Sequence, residues 1–496
     1  MTPDFGWWSL VPPVLAISTA IATRQVVPSL LISIWIGWII HAGGNPLTGA
    51  ADAIESLIQV FTDPGQTRVL LFTMLMGSLL LLMQRGGGVD GFLQTISRWT
   101  WSGSRRGAKM MAWVVGLGVF IESTITCLVV GTVSRPLFDK LKLSREKLAY
   151  ICDSTSAPVC ILIPFNGWGA TVLGLLGAQA AQGYLGDRSP VSVFAAAVPL
   201  NFYAIVAVLI VLATCATNWD IGPMREAERR AREEGKVIRD GARPVVSDDV
   251  ISVPRKPAAI PRLGNMAVPL LSMVGMVFLA IYITGAIGVR ADGLENPALM
   301  DYLNRSSGST AVLWGVLLAL VIVLVQQVSQ RITTVSEFVE LSLKGAGGML
   351  PLSVILLLAF GISAVCAALG TGPFMASQVQ PLLTPALVAP LVFLVSAFTA
   401  FATGTSWGTF GIMLPLAVPL VAAFNDAGAV VSMPLVVSAV LGGGVFGDHA
   451  SPISDTSIVS SMAAASDHID HVRTQLPYAL LGGAVAVVLY TVAGLL

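Results

Sequence analysis

The chain has 496 residues, of which 55% are hydrophobic and only 11% charged, with a net formal charge of +0 and a mean hydropathy of +0.79. Charged residues make up roughly a quarter of a soluble domain, so this composition excludes an ordinary soluble protein and indicates a polytopic membrane protein in contact with lipid. No basic run is dense enough for a nucleic-acid partner, and no GxxxxGK[ST] sequence is present, which removes an ATP-driven transporter.

In chain order, the N-terminal MTPDFGWWSLVPP lacks the basic region of a cleavable signal, so the first apolar run is expected to be retained. Hydropathy predicts simple spans near 7–23, 26–42, 68–84, 192–217, 266–289, 310–326, 349–369 and 477–495. The segment 110–134 has basic flanks on both sides: Arg85, Arg98, Arg105, Arg106 and Lys109 before it, and Arg135, Lys140, Lys142, Arg145 and Lys147 after it. A single crossing would put one flank outside against the positive-inside rule, so a re-entrant hairpin is expected, with its tip near Glu122-Ser123-Thr124. A counterpart at 386–424, with its turn at Thr403-Gly404-Thr405-Ser406, has flanks free of Lys and Arg and should enter from the opposite face.

Each hairpin precedes an apolar helix interrupted by an acid, small hydroxyl residues and a proline. The interruptions are CDSTSAP (Cys152–Pro158) near 148–165 and GDHASP (Gly447–Pro452) near 433–465. Proline removes a backbone donor, and the freed carbonyls can serve as cation ligands. The expected fold is therefore all-α and polytopic, with two inverted-topology repeats, 1–217 and 263–496, each holding a re-entrant hairpin and a discontinuous helix. Residues 218–262 join them. The run MREAERRAREEGK has helical propensity and RPVVSDDVISVPRKPAAIP is Pro-rich, so this segment reads as a solvated cytoplasmic connector.

An Asp at the centre of a bilayer costs about 2.5–3.5 kcal/mol on insertion scales, so buried acids usually line a polar cavity or ion path. Asp448, Asp455 and Asp153 are the first candidates for binding Na+ and protons, with capping of a half-helix as the alternative. Competition of one cation and protons for the same oxygens suffices for antiport. Glu122 has no acidic counterpart at the second tip. Ser123, Thr124, Ser154, Thr155, Thr403, Thr405, Ser406, Ser451 and Thr456 supply neutral oxygens suited to a hard cation, though hydroxyls also bond to helix backbone. Asn166 in IPFNGWG is a further amide ligand or a turn residue. His449 can relay protons or satisfy a freed carbonyl, and His468 and His471 read as part of a solvated loop anchoring the last span. The five cysteines, Cys127, Cys152, Cys160, Cys215 and Cys366, lack metal-ligand spacing and read as small core residues.

Three stretches, TGTSWGT (403–409), VFGDHASPISDT (445–456) and DHIDHVRTQLPY (467–478), resemble the NhaC family of sodium/proton antiporters within the ion transporter superfamily. The resemblance implies exchange of Na+ for H+ across the cytoplasmic (inner) membrane, a hairpin-plus-broken-helix architecture that is often dimeric and of elevator type, no cofactor, and site roles for Asp448, Ser451, Asp455 and Thr456. Relatives of the family also move organic acids, such as malate against lactate, or amino acids, so a small organic solute is the alternative cargo. An intramembrane aspartyl hydrolase would need GxGD, and Val445 stands where its first glycine belongs. The sequence therefore reads as a transporter and not an enzyme.

Overall fold

The computed structural model describes residues 5–23, 25–97, 103–120, 122–217, 219–244, 256, 259–294, 297–379 and 383–496. Arg98 and most of the Pro-rich stretch lie outside them. Among the described residues the regular structure is helical, with one isolated bridge between Pro244 and Asp467. A 3-10 turn at Gly6–Leu10 leads into α1 (Val11–Thr23), then α2 (Val26–His41), α3 (Pro46–Thr62), α4 (Pro64–Arg85) and α5 (Gly88–Ser97). There follow α6 (Arg105–Gly118), α7 (Ser123–Lys140), α8 (Arg145–Ser154), α9 (Ala157–Leu162), α10 (Gly167–Ala181), α11 (Pro190–Ala197) and α12 (Phe202–Ala216). A polar helix α13 (Gly222–Glu233) precedes the second half. That half comprises α14 (Gly264–Ala291), α15 (Leu299–Asn304), α16 (Gly308–Ser329), α17 (Val335–Gly348), α18 (Leu350–Ala368) and α19 (Thr371–Val379). It closes with α20 (Pro385–Thr403), α21 (Ser406–Asp426), α22 (Met433–Ala450), α23 (Asp455–Ala464) and α24 (His468–Leu495).

Among the described residues, 10 helices are long and apolar enough to cross a membrane, and the chain is a multi-pass membrane protein. Two amphipathic helices, α3 and α17, escaped the hydropathy reading because each mixes acids into its apolar run. The first buries Gly49, Ala53, Ser56 and Val60 along one stripe and exposes Ile54, Ile58 and Phe61 elsewhere. The halves interlock: α2 packs on α18 as α16 packs on α4, and α3 packs on α18 as α17 packs on α4.

The chain turns between the end of α6 at Gly118 and the N-cap of α7 at Glu122, and at Gly404-Thr405 between α20 and α21, where hairpin tips were expected. The arms differ in length. With 14 residues, α6 is about 21 Å long at 1.5 Å per residue, short of a hydrocarbon core of about 30 Å. The 19 and 21 residues of α20 and α21 each reach that length. Gly404 ends α20 in the left-handed region (φ 71°), and a Cβ there would lie 2.6 Å from the Ile453 carbonyl oxygen. Only glycine lets this tip meet the break in the neighbouring helix.

The connector departs from the solvated reading. Residues 219–244 fold back on the bundle: α13 packs on α8 and α24, and Glu228 is buried, accepting from the Ser144 amide (2.9 Å) and from Arg105 (2.9 Å). Asp220 binds the buried Lys147 ammonium at 2.7 Å. The helical run that looked like a solvated face supplies counter-charges to the half-buried Arg105 of α6 and the buried Glu146 of α8.

Candidate functional site

The site is built where the two interrupted helices meet. In the second half α22 ends at Ala450, and Pro452 lies in the gap before α23. Ser454 restarts the helix as its N-cap, accepting from the Ser457 amide at 3.3 Å. In the first half α8 ends at Ser154, and α9 starts two residues after Thr155, with Pro158 in its first turn. The first turn of α23 stands between the two acids.

Asp448, 1% exposed, accepts from Ser406 Oγ (2.5 Å) at the second hairpin tip and from Ser454 Oγ (2.6 Å). Asp153, also 1% exposed, accepts at Oδ2 from Ser457 Oγ (2.7 Å) and from Gln475 Nε2 (2.7 Å) of α24. Its Oδ1 is buried without a hydrogen-bond partner among the described residues. The Gln475 amide also donates to the His449 carbonyl (2.6 Å), so its Oε1 must accept, and it does so from His471 Nε2 (2.8 Å). His449 itself is buried between Ser154 Oγ (2.9 Å) and Tyr203 OH (2.7 Å). One acid and its neighbouring serine from the first half are thus bonded to residues some 300 positions away in the second.

Other expected ligands fall into two groups. Ser451 donates to the Phe401 carbonyl, Thr403 to the Thr399 carbonyl and Thr155 to the Ile151 carbonyl, each at 2.7–2.8 Å. Asn166 caps α10 and donates to the Phe120 and Cys160 carbonyls, both at 2.8 Å. These side chains hold the bends together. Thr456 bonds Ser454 Oγ at 3.0 Å, while Thr124 stays outside the network on α7. Glu122 caps α7, accepting from the Ile125 amide (2.9 Å) and Ser123 Oγ (3.1 Å). Glu122, Thr405 and Asp455 also line a cavity of about 240 Å³, together with Trp168, Trp407 and residues of α4, α17 and α18.

Among the described residues no three His, Cys, Asp or Glu side chains are grouped to hold a metal ion, so the candidate acids Asp153, Asp448 and Asp455 stand apart. The turn at Ser454–Ser457 separates the first two, and Asp455 faces the cavity. His471 is not in a solvated loop: it is fully buried, between Ser461 Oγ (2.8 Å) and Gln475. Sequence reasoning also passed over Ser457, Gln475 and Tyr203. Gln475 lay inside the DHIDHVRTQLPY signature, which marked the segment without assigning that residue.

A charge census separates this site from the rest of the interior. No Lys or Arg pairs with Asp153, Asp448, Asp455 or Glu122 among the described residues. Among the described residues the one basic side chain within ion-pair distance of any of them is His471, its Nε2 3.9 Å from Asp153 Oδ2. A multi-pass helical bundle whose buried acids have no fixed counter-charge and sit at interrupted helices is a secondary transporter, and comparison with known proteins agrees. The chain belongs to the Na+/H+ antiporter family, which residues 159–495 match. It is 34% identical over 504 aligned residues to an uncharacterised protein of Haemophilus influenzae, covering 98% of this chain and 91% of that one. A shorter stretch of 127 residues, 26% of this chain and 25% of the relative, is 38% identical to the arginine/ornithine antiporter ArcD of Halobacterium salinarum. The fold is shared with the YdaH transporter of Alcanivorax borkumensis (TM-score 0.56, 14% identity, 90% of this chain and 88% of that one).

Proposed function

We propose that the protein exchanges Na+ for H+ across the cytoplasmic membrane, with Asp448 and Asp153 as the carboxylates that alternate between proton and cation. The observation that carries this reading is that, among the described residues, no fixed cation lies beside either buried acid. An isolated ionised carboxylate in an apolar interior is prohibitively costly, so it holds a proton or a mobile cation. Asp448 with Ser406 and Ser454, and Asp153 with Ser457, offer the oxygen-only surroundings a hard cation takes. In the proton-loaded form the same oxygens keep their hydroxyl donors. Reciprocal packing of α2 on α18 and α16 on α4 supports the reading of the halves as inverted repeats. The rival cargo, a small organic acid, finds no Lys or Arg anchor among these four acids.

The test uses proteoliposomes loaded with a pH dye. Added Na+ should dissipate an imposed pH gradient, and the half-saturating Na+ concentration should rise as pH falls, because protons then occupy more of the shared oxygens. Dissipation with a Na+ midpoint independent of pH would separate the two sites and end the shared-carboxylate mechanism.

A further inference from the structure

The cavity in front of the acids has a chemistry that sodium does not need. Its volume of about 240 Å³ equals about eight waters at roughly 30 Å³ each, and is below the ~300–1,000 Å³ of pockets for drug-sized ligands. It suits a small solute. Among the described residues Glu122 and Asp455 are the charged groups lining it, with no Lys or Arg. Asp455 opens onto it, with the adjacent Thr456 amide (2.7 Å) as its hydrogen-bond donor. A hydrated alkali ion needs oxygen wherever it sheds water, and apart from Thr73, Thr405 and the two acids the side chains lining this cavity are apolar or aromatic, Met76, Leu80, Met349, Leu352 and Ile355 among them. That apolar lining favours a ligand that carries apolar surface of its own.

An organic cation matches both kinds of lining residue. Its apolar stem would cover the methionine and leucine side chains, and its charged head would meet the carboxylates and the indole of Trp407. Trp168, 1% exposed, packs at 4.4 Å between ring centroids from Trp407 and backs it, leaving the half-buried Trp407 as the ring a ligand meets. Indole is the strongest of the cation–π acceptors, and anions are repelled by the two acids. The cavity is also contiguous with the Asp448 site. Thr405 and Trp407, which flank Ser406 in the chain, line it, as does Asp455, the residue after Ser454.

We propose that this cavity is a binding site for a small organic cation, a primary amine or guanidinium on a short apolar stem. The site shares with the exchange reading the premise that acids without fixed counter-charges take mobile cations, but it does not require that Na+ be the cargo. The experiment is calorimetry on purified full-length protein in micelles, in sodium-free buffer, with butylguanidinium and butylamine as probes and butanol and butyrate as controls. Saturable binding of the two cations alone is expected, with Kd raised about tenfold in Trp407→Leu and in Glu122→Gln. Unchanged thermal midpoints would certify that both variants are folded.

If neither cation binds the wild type, the proposal is overturned. Binding left intact in both variants places the cation elsewhere and overturns it equally, as does tighter binding of butyrate than of butylamine. Sodium-driven proton flux is measured on the same preparation. Flux without cation binding leaves the exchange reading standing alone, and cation binding without flux leaves this site standing while the exchange reading falls.

Discussion

Two regions of this interior bury carboxylates equally well and treat them oppositely. At the basic end of the bundle every buried acid has a fixed partner: Asp220 with Lys147 (2.7 Å), Glu228 with Arg105 (2.9 Å), Glu146 with Arg230 (2.8 Å) and Asp470 with Arg239 (3.0 Å). At the helix interruptions Asp153 and Asp448 have serines, an amide and no such cation. A paired acid has its counter-charge built into the protein and serves as a fastener. An unpaired one, on the mechanism proposed above, exchanges its neutralising particle with the surroundings. Burial alone therefore says little about function in this protein, and the identity of the counter-charge decides it.

The most severe test of that contrast is Asp448→Asn. It should reduce sodium-driven proton flux in liposomes to the protein-free background while leaving the thermal midpoint intact, because the amide keeps the shape and no cation is orphaned; residual coupled flux would break the comparison. In the fastened region the expectation inverts. Asp220→Asn strands a buried ammonium and should lower stability by about 3–5 kcal/mol, read as unfolding in denaturant. Replacing both partners, Asp220→Leu with Lys147→Met, should recover most of that loss. Gln475→Ala removes a donor to Asp153 and should weaken Na+ binding by about 1.5–3 kcal/mol, seen as a higher half-saturating concentration with the maximal rate less affected. The smallest effect concerns Asp467. Burial alone would raise its pKa, but amide donors from Arg243 (2.8 Å), Asp470 (3.1 Å) and Ile469 (2.9 Å) outweigh burial and hold it below the ordinary carboxylate value. A depressed folded pKa contributes stability above the unfolded value of about 3.9 that is lost as pH falls through the folded one. Proteolysis between residues 219 and 244 should therefore accelerate only at strongly acid pH, and Asp467→Asn should abolish that step.

Much of the architecture could be read from local chemistry. Gly404 and Pro452 announced their bends, because a left-handed residue and a missing donor are properties of the residue itself. The basic flanks of 110–134 pointed to the turn at Glu122. The helices α3 and α17 were missed because Asp52 and Glu55, or Glu337 and Glu340, dilute an apolar stripe that is evident only once the helix is wound. In the site, the acids were visible as charge inside apolar sequence, whereas their partners were not. Ser457 and Gln475 lie 304 and 322 positions from Asp153, and no periodicity relates residues across such a distance. The buried state of His471 was hidden for the opposite reason: DHIDH looks hydrophilic, and only packing of α24 on α8 and α23 removes it from water.

The bonds of Asp153 and Ser154 to Ser457, Gln475 and His449 also decide how the molecule can be divided. Any displacement that preserved them would carry α8, α22, α23 and the start of α24 as a single body. The contacts of α2 with α18 and of α4 with α16 hold helices of both halves together in another. Under such a displacement the seam would run crosswise through each half of the chain, and the connector would cross it, leading from α13, packed on α8 and α24, to α14, packed on α16.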